Sequence, residues 1–399
     1  MPVAACPGAT TYSDVTDPSH VRWLGATSQP PDDHFLALVT ADQTFDVGTG
    51  PVTLTDSNMA LVTLSTAGKP VGVVPFGLGS PLVYTAAGSQ LGHLVIAGYA
   101  NEGDEVGGGP LMSGAFATQI DPGGTHSWSQ NLDITRSSSD MGLLFNVASH
   151  PAHGVALAGK GAWAKGQAGD FDGFVGRLAL DGTELWHQNL SPLHDIDGVA
   201  IGPSGEVVVT GVAQGDLTIG TTTLKGTGTS EYGFVARFDA SGAPSWAKQV
   251  FLALRVPAID EDMAVYVGGF AFGTTVLDGQ TFGPVNGPLP TSYLLKIEAG
   301  QLTWAKPMGA ATLLDVAVAN GASLVATGSY DAAGGSIGGF VLPPTPTGGS
   351  FLAKIDGFGN ITCAAAGPAT TFPSPLAVAM TSRSLSLTNG PIPLFFVPE

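Results

Sequence analysis

Charge is scarce in this chain of 399 residues, where Asp, Glu, Lys and Arg together make only 12%, about half the usual quarter. A surface so poor in ions must be covered by Thr, Ser, Gly and Ala, which favours sheets and turns over salt-bridged helices. Bases are scarcer still, 14 against 32 acids, and the net charge of −18 repels phosphate backbones, which argues against a nucleic-acid partner. No stretch approaches the roughly 18 uninterrupted apolar residues of a membrane-spanning helix. Helical periodicity is missing throughout. The chain has two cysteines, Cys6 and Cys363, near its opposite ends: too few for a metal cluster or a disulfide-dense scaffold, but enough for one bridge between the termini. The N-terminus lacks a basic region followed by an apolar core, so no secretory signal is read there. Val3-Ala4-Ala5-Cys6 matches the end of a lipoprotein signal without its hydrophobic run.

What the chain does hold is glycine, apolar residues and a repeat. With 57 Gly and 29 Pro it nears low-complexity composition, yet 44% hydrophobic residues allow a core. Four segments superimpose: Phe116 to Trp128, Phe174 to Trp186, Phe234 to Trp246 and Tyr293 to Trp304, with tryptophans spaced by 58, 60 and 58 residues. A fifth copy, Phe351-Leu-Ala-Lys-Ile-Asp356, runs to Cys363 in the Trp position. An earlier, decayed copy runs from Ala60-Leu-Val-Thr-Leu64 to Val71, and around Gly72 it lacks the Trp.

Each copy predicts four short strands. The first is apolar, as in Val199–Ile201. The second is a β-branched run ending at glycine, as in Val207-Val-Val-Thr-Gly211 and Leu324-Val-Ala-Thr-Gly328, and such a run suits a strand buried on both faces. The third alternates, so Arg237, Lys296 and Lys354 are expected on a wet face. An Asp-led turn precedes the fourth strand, which carries the Trp. A strand-rich unit of this kind cannot cover both its faces alone, and radial stacking into a β-propeller both buries them and protects most edges. Six copies occupy about residues 20–367. The segment from about 368 to 399 carries further strands that residues 1–19 would complete. The expected fold is therefore all-β, a single domain over 1–399: a seven-bladed β-propeller of four-stranded antiparallel blades, closed by N- and C-terminal segments sharing the last blade. That closure would bring Cys6 beside Cys363.

Val207-Val-Val-Thr-Gly211, Gly233-Phe-Val-Ala-Arg-Phe-Asp-Ala-Ser-Gly242 and Ser245-Trp-Ala-Lys248 together resemble the bacterial seven-bladed β-propeller repeat of secreted proteins from myxobacteria and related bacteria. The resemblance covers nearly the whole chain. It implies fold and an extracellular or cell-surface location, while propellers host unrelated activities. Gly72 and Cys363 depart from its pattern.

Candidate chemistry is thin. The periodic tryptophans read as packing between blades, whereas Trp163 falls off the period in a Gly-rich connection and is a candidate anchor for a protein or glycan partner. Asp121, Asp181, Asp239 and Asp356 read as turn braces. Asp32-Asp33 and Asp260-Glu261-Asp262 read as solvated charge, and Glu102, Asp104 and Glu105 as a charged loop. Asp170-Phe-Asp172-Gly and Asp195-Ile-Asp197-Gly precede a third and a first strand and should open on one face. Their carboxylates suit Ca²⁺, although the full loop motif is missing. Gly334-Gly-Ser336-Ile-Gly338 matches a nucleophile elbow only in letters, and the histidines lack metal-binding spacing. Apart from that candidate Ca²⁺ site no cofactor is expected. The expected function is a non-enzymatic structural or interaction module acting in adhesion or self-assembly. The alternatives are a Ca²⁺- or glycan-binding propeller and a glycan-cleaving propeller enzyme, the last requiring paired carboxylates.

Overall fold

The computed structural model describes the backbone of residues 4–5, 10–12, 21–29, 34–369, 375–379, 383–388 and 394–398, apart from 42–43, 66–68, 80, 89–92, 122–123, 136–144, 164–172, 227–229, 251–256, 272–273, 284–290, 310 and 319–322; side chains are described within 36–367. Each repeat becomes a four-stranded antiparallel blade, and the architecture is an all-β propeller. The first blade is Val21–Gln29, His34–Ala41, Met59–Leu64 and Pro70–Phe76, from inside outward. The second is Leu82–Gly88, Leu94–Ala100, Gly114–Ile120 and His126–Leu132, and the third Phe145–His150, Gly154–Lys160, Gly173–Leu178 and Glu184–Leu190. Asp195–Ile201, Val207–Gln214, Glu231–Phe238 and Pro244–Val250 make the fourth; Ala258–Ile259, Val265–Ala271, Thr291–Glu298 and Gln301–Pro307 make the fifth.

The sixth unit departs from the pattern. Ala311–Val318, Leu324–Tyr330, Gly349–Ile355 and Ile361–Ala369 are joined at the outer edge by a fifth strand, Ala4–Ala5, which runs parallel in the register Ala4 to Cys363 and Ala5 to Ala364. A further four-stranded antiparallel sheet joins Pro375–Ala379, Arg383–Thr388 and Leu394–Pro398 to Thr10–Tyr12, with Thr10 opposite Phe396.

The glycine that ends each second-strand run has a steric cause. Gly98, Gly159, Gly211 and Gly328 pair directly across from Phe116, Phe174, Phe234 and Phe351 of the third strand. A Cβ at Gly211 would meet the Asp195 carbonyl of the first strand and lie 2.8 Å from the Phe234 ring, so the strands and the ring pack this closely only where no side chain intervenes.

Among the described residues, the core is divided between the blades. The described buried clusters each lie between two neighbouring blades: Leu38, Ile96 and Phe116 join the first two, Val155, Phe174 and Trp128 the second and third, and Val209, Phe234 and Ala156 the third and fourth. Val208, Leu295 and Val267 continue this between the fourth and fifth, and Tyr266, Phe351 and Leu324 between the fifth and sixth. Alternate residues of one strand therefore serve two different layers, which is why these strands read as continuous apolar runs.

Two features differ from the sequence reading. The expected wet face of the third strand is half-covered: the side chains of Arg237 and Lys296 are 15% exposed, Lys354 is half-buried, and Arg177 at the same position of the third blade is only 7% exposed. In addition, the connection between second and third strands carries a small hairpin in four units, pairing Thr44–Phe45 with Val52–Thr53, Leu217–Ile219 with Thr222–Leu224, Thr275–Leu277 with Gln280–Phe282 and Gly335–Ile337 with Phe340–Leu342.

Candidate functional site

The periodic tryptophans lock each blade to the next. Each lies at one register, opposite the third-strand residue that precedes a bulge: Trp128 faces Gln119, Trp186 faces Arg177, Trp246 faces Arg237 and Trp304 faces Lys296. Each ring seats on the turn glycine of the following blade, where an added Cβ would meet the ring at 2.7 Å for Gly182, 2.6 Å for Gly242, 3.2 Å for Gly300 and 2.9 Å for Gly359. These glycines have φ between 78 and 88°, in the left-handed region. Two indole N–H groups also donate to the same turns, Trp128 Nε1 to the Leu180 carbonyl at 2.9 Å and Trp186 Nε1 to the Ala240 carbonyl at 3.1 Å.

The turns themselves are braced by their leading aspartates. Asp239 Oδ1 accepts from the Ser241 amide, the Ser241 hydroxyl and the Ala243 amide, and the Ser241 bond above all holds its carboxyl below the usual range. Asp181 is lowered by the Thr183 amide, and Asp121 accepts from the Thr125 amide. Burial works against ionisation of Asp356, yet Asn360 and Phe358 bring it below the usual range as well.

Several expected surface charges are interior. Asp260 is only 3% exposed and accepts from the Ala264 amide and the Tyr266 hydroxyl, so it is a buried brace rather than solvated charge. Asp104 is buried and accepts from the Asn101 amide. Arg177 donates to the His153 carbonyl at 3.0 and 2.8 Å and to the Ala240 carbonyl at 3.0 Å. His153 donates in turn to the Pro203 carbonyl, and Glu206 lies 3.4 Å from Arg237. Sequence reading missed this set because its members come from separate turns.

Trp163 is not an exposed anchor. It is only 2% exposed, stacks on His187 at 5.5 Å, meets Phe174 edge-on and donates from Nε1 to Glu184. Its strand pairs with Ile134–Thr135, so it serves in place of the hairpin that other connections carry.

Asp195 and Asp197 lie within the first strand of the fourth blade rather than before it, and a bulge separates Ile196 from Gly198. Asp195 Oδ1 accepts from the Ile196 amide and stands 4.0 Å from Lys160 Nζ. Nearby, His194 Nδ1 meets Glu231 Oε1 at 2.8 Å. Asp170 and Asp172, like Asp32 and Asp33, lie outside the described residues. Among the described residues no three metal-ligating side chains converge. Ser336 sits in a two-stranded hairpin, without the strand-to-helix turn a nucleophile elbow needs.

The two positions that break the tryptophan register are Gly72, opposite Thr63, and Cys363, opposite Lys354. Cys363 is disulfide-bonded and its strand carries the added Ala4–Ala5; Cys6 lies outside the described residues. The Gly72 edge differs. Its strand, Pro-Val-Gly-Val-Val-Pro-Phe, has no charge, and Val71 and Val74 are 53% and 63% exposed. Leu78, just beyond, is also exposed while its backbone bonds to Glu105.

No protein-family model matches the sequence, and no curated protein matches it. Solved structures do share its fold. The chain is similar to virginiamycin B lyase from Staphylococcus aureus, with 9% identity, 98% of this chain and 99% of that one covered and a TM-score of 0.50. It is also similar to BamB from Moraxella catarrhalis, at 12% identity, 99% and 95% coverage and a TM-score of 0.43. A third likeness is to the Dos1 propeller, at 10% identity, 96% and 95% coverage and a TM-score of 0.44. At such identities the likeness is one of fold, and it leaves activity open.

Proposed function

We propose that this protein is a non-enzymatic interaction module, a closed seven-bladed propeller that presents its rim to a polypeptide partner outside the cytoplasm. The observation that carries the reading is the uncharged outer strand of the first blade, on which Val71 and Val74 are exposed, with exposed Leu78 just beyond. Exposed apolar strips of this kind mark contact surfaces. Closure is supported by Pro375–Ala379, which lies against Ala311–Val318 on one side and Val21–Gln29 on the other. A disulfide at Cys363 fits an oxidising compartment, and the repeat's resemblance to secreted bacterial propellers points the same way.

Cross-linking and electron microscopy of the protein purified from its native source test this reading. A second polypeptide held at the rim is the expected result. A monodisperse single module that cleaves a glycan, with turnover lost in Asp195→Asn, would replace it with an enzyme.

A further inference from the structure

The sixth unit shows what this propeller does where a tryptophan is missing. Cys363 stands in the tryptophan register, and there the outer edge takes on an additional strand, Ala4–Ala5, parallel and paired at Cys363 and Ala364. By register, Gly72 and Val73 of the first blade are the equivalents of Cys363 and Ala364: Gly72 faces Thr63 as Cys363 faces Lys354, one step before the same bulge.

Three features distinguish this edge from those of the second to fifth blades. Those outer strands read His-Ser-Trp-Ser-Gln-Asn-Leu, Glu-Leu-Trp-His-Gln-Asn-Leu, Pro-Ser-Trp-Ala-Lys-Gln-Val and Gln-Leu-Thr-Trp-Ala-Lys-Pro, each mixing polar or charged groups into the edge, as protected edges do. The first blade's strand has none of these, and valines stand exposed along it. The second feature is space. A Cβ at Gly72 would find only Thr63 within 4 Å, at 3.9 Å. The third lies in the next blade's turn, where Gly124 with φ of 80° corresponds to the glycines under the tryptophan rings. Among the described residues only Leu61 Cδ1 approaches its Cβ position, at 3.5 Å. Among the described residues no ring occupies this seat, and Leu61 alone reaches it.

We propose that the outer edge of the first blade at Gly72–Val73 is a β-addition site for an extended tail of a partner polypeptide, uncharged and small where it pairs, with an aromatic side chain that seats over Gly124 and basic residues flanking it. The proposal rests on the interaction-module reading and names the partner's chemistry. Small, uncharged pairing residues follow from Ala4–Ala5, the strand that the equivalent edge accepts. The aromatic follows from the four rings that occupy the equivalent seats. Basic flanks follow from charge complementarity with a molecule of net charge −18. A second copy of this chain fits less well. Two such edges related by a two-fold axis would have to run antiparallel, whereas the precedent is parallel, and each copy carries the same negative field.

The test uses the full-length protein and a fluorescein-labelled peptide, Lys-Lys-Trp-Val-Ala-Ala-Val-Lys-Lys, read by anisotropy. Saturable binding is expected, weakened at least tenfold by Gly72→Trp, which fills the seat from within, and by Val74→Lys, which charges the edge. Replacing the peptide's Trp by Ala should weaken it similarly. Thermal melting of both variants shows that they fold. Equal binding to wild type and both variants, or no saturable binding, overturns the proposal. Sedimentation without peptide gives the other outcome: a dimer abolished by Val74→Lys would assign the edge to self-pairing and also overturn it. Cross-links from a natural partner to blades other than the first would leave the interaction-module reading standing while this site fell.

Discussion

At the scale of single residues, the ring is held by a repeated exchange between a large side chain and the lack of one. Trp186 on the third blade fits because Gly242 on the fourth has no Cβ, and Asp239 keeps that turn in the shape that presents the glycine. Gly242→Ala should therefore cost more than the strain of a left-handed alanine, about 1 kcal/mol, because the ring 2.6 Å away must also move. Gly124→Ala has the same φ sign with only Leu61 nearby, at 3.5 Å. Urea denaturation of both should place Gly242→Ala at about 2–4 kcal/mol and Gly124→Ala near 1. Equal losses would show that the indole contact contributes nothing. Much of this was legible in the sequence, since the spacing of the tryptophans and the Asp-led turns is printed in the repeat. Arg177 and Asp260 were not. A base on an alternating strand and an acid in a turn read as exposed, and only the apposition of a neighbouring blade, a contact between distant parts of the chain, buries them.

At the scale of elements, four-strandedness followed from the texture of the repeat, but the small hairpins between second and third strands did not. Three-residue strands are too short to show a period, and the turn signals that betray them, Asp278-Gly279 and Gly338-Gly339, are lost in a chain so rich in glycine. One of these hairpins ties two blades together from outside. Asp278, on the hairpin of the fifth blade, holds Lys248 of the fourth at 2.6 and 2.7 Å and accepts from the Leu302 amide. Burial opposes its ionisation, yet Lys248 brings its carboxyl below the usual range. Asp278→Ala leaves a largely covered ammonium with the Gly300 carbonyl as its remaining described acceptor, and should cost about 1–3 kcal/mol. Adding Lys248→Met should recover part of that loss. A double-mutant cycle in which the two changes are simply additive would show that the hairpin is not an inter-blade tie through this pair.

At the scale of the whole molecule, the proposed closed ring has one seam, and its weakness is entropic: the interfaces between blades are local, but the Ala4–Cys363 pairing joins residues more than 350 positions apart. The tryptophan that would lock the sixth blade is missing, and Cys363 stands in its register, disulfide-bonded, with the N-terminal segment paired beside it. The chain's other cysteine is Cys6, so the expected pairing is Cys6–Cys363, which would be a covalent clasp in place of an indole. Joining two points so distant in sequence restricts the unfolded chain strongly, and the clasp should contribute about 4–5 kcal/mol. Cys363→Ser, or dithiothreitol on the wild type, should lower the melting temperature and open the first twenty residues to protease before the remaining blades are cut, while Gly72→Trp should leave that sensitivity unchanged. Peptide mapping without reductant checks the pairing directly. Two separate thiols, or an N-terminus equally protected after reduction, would mean that the seam is held by strand pairing alone and that the cysteine merely replaces a tryptophan.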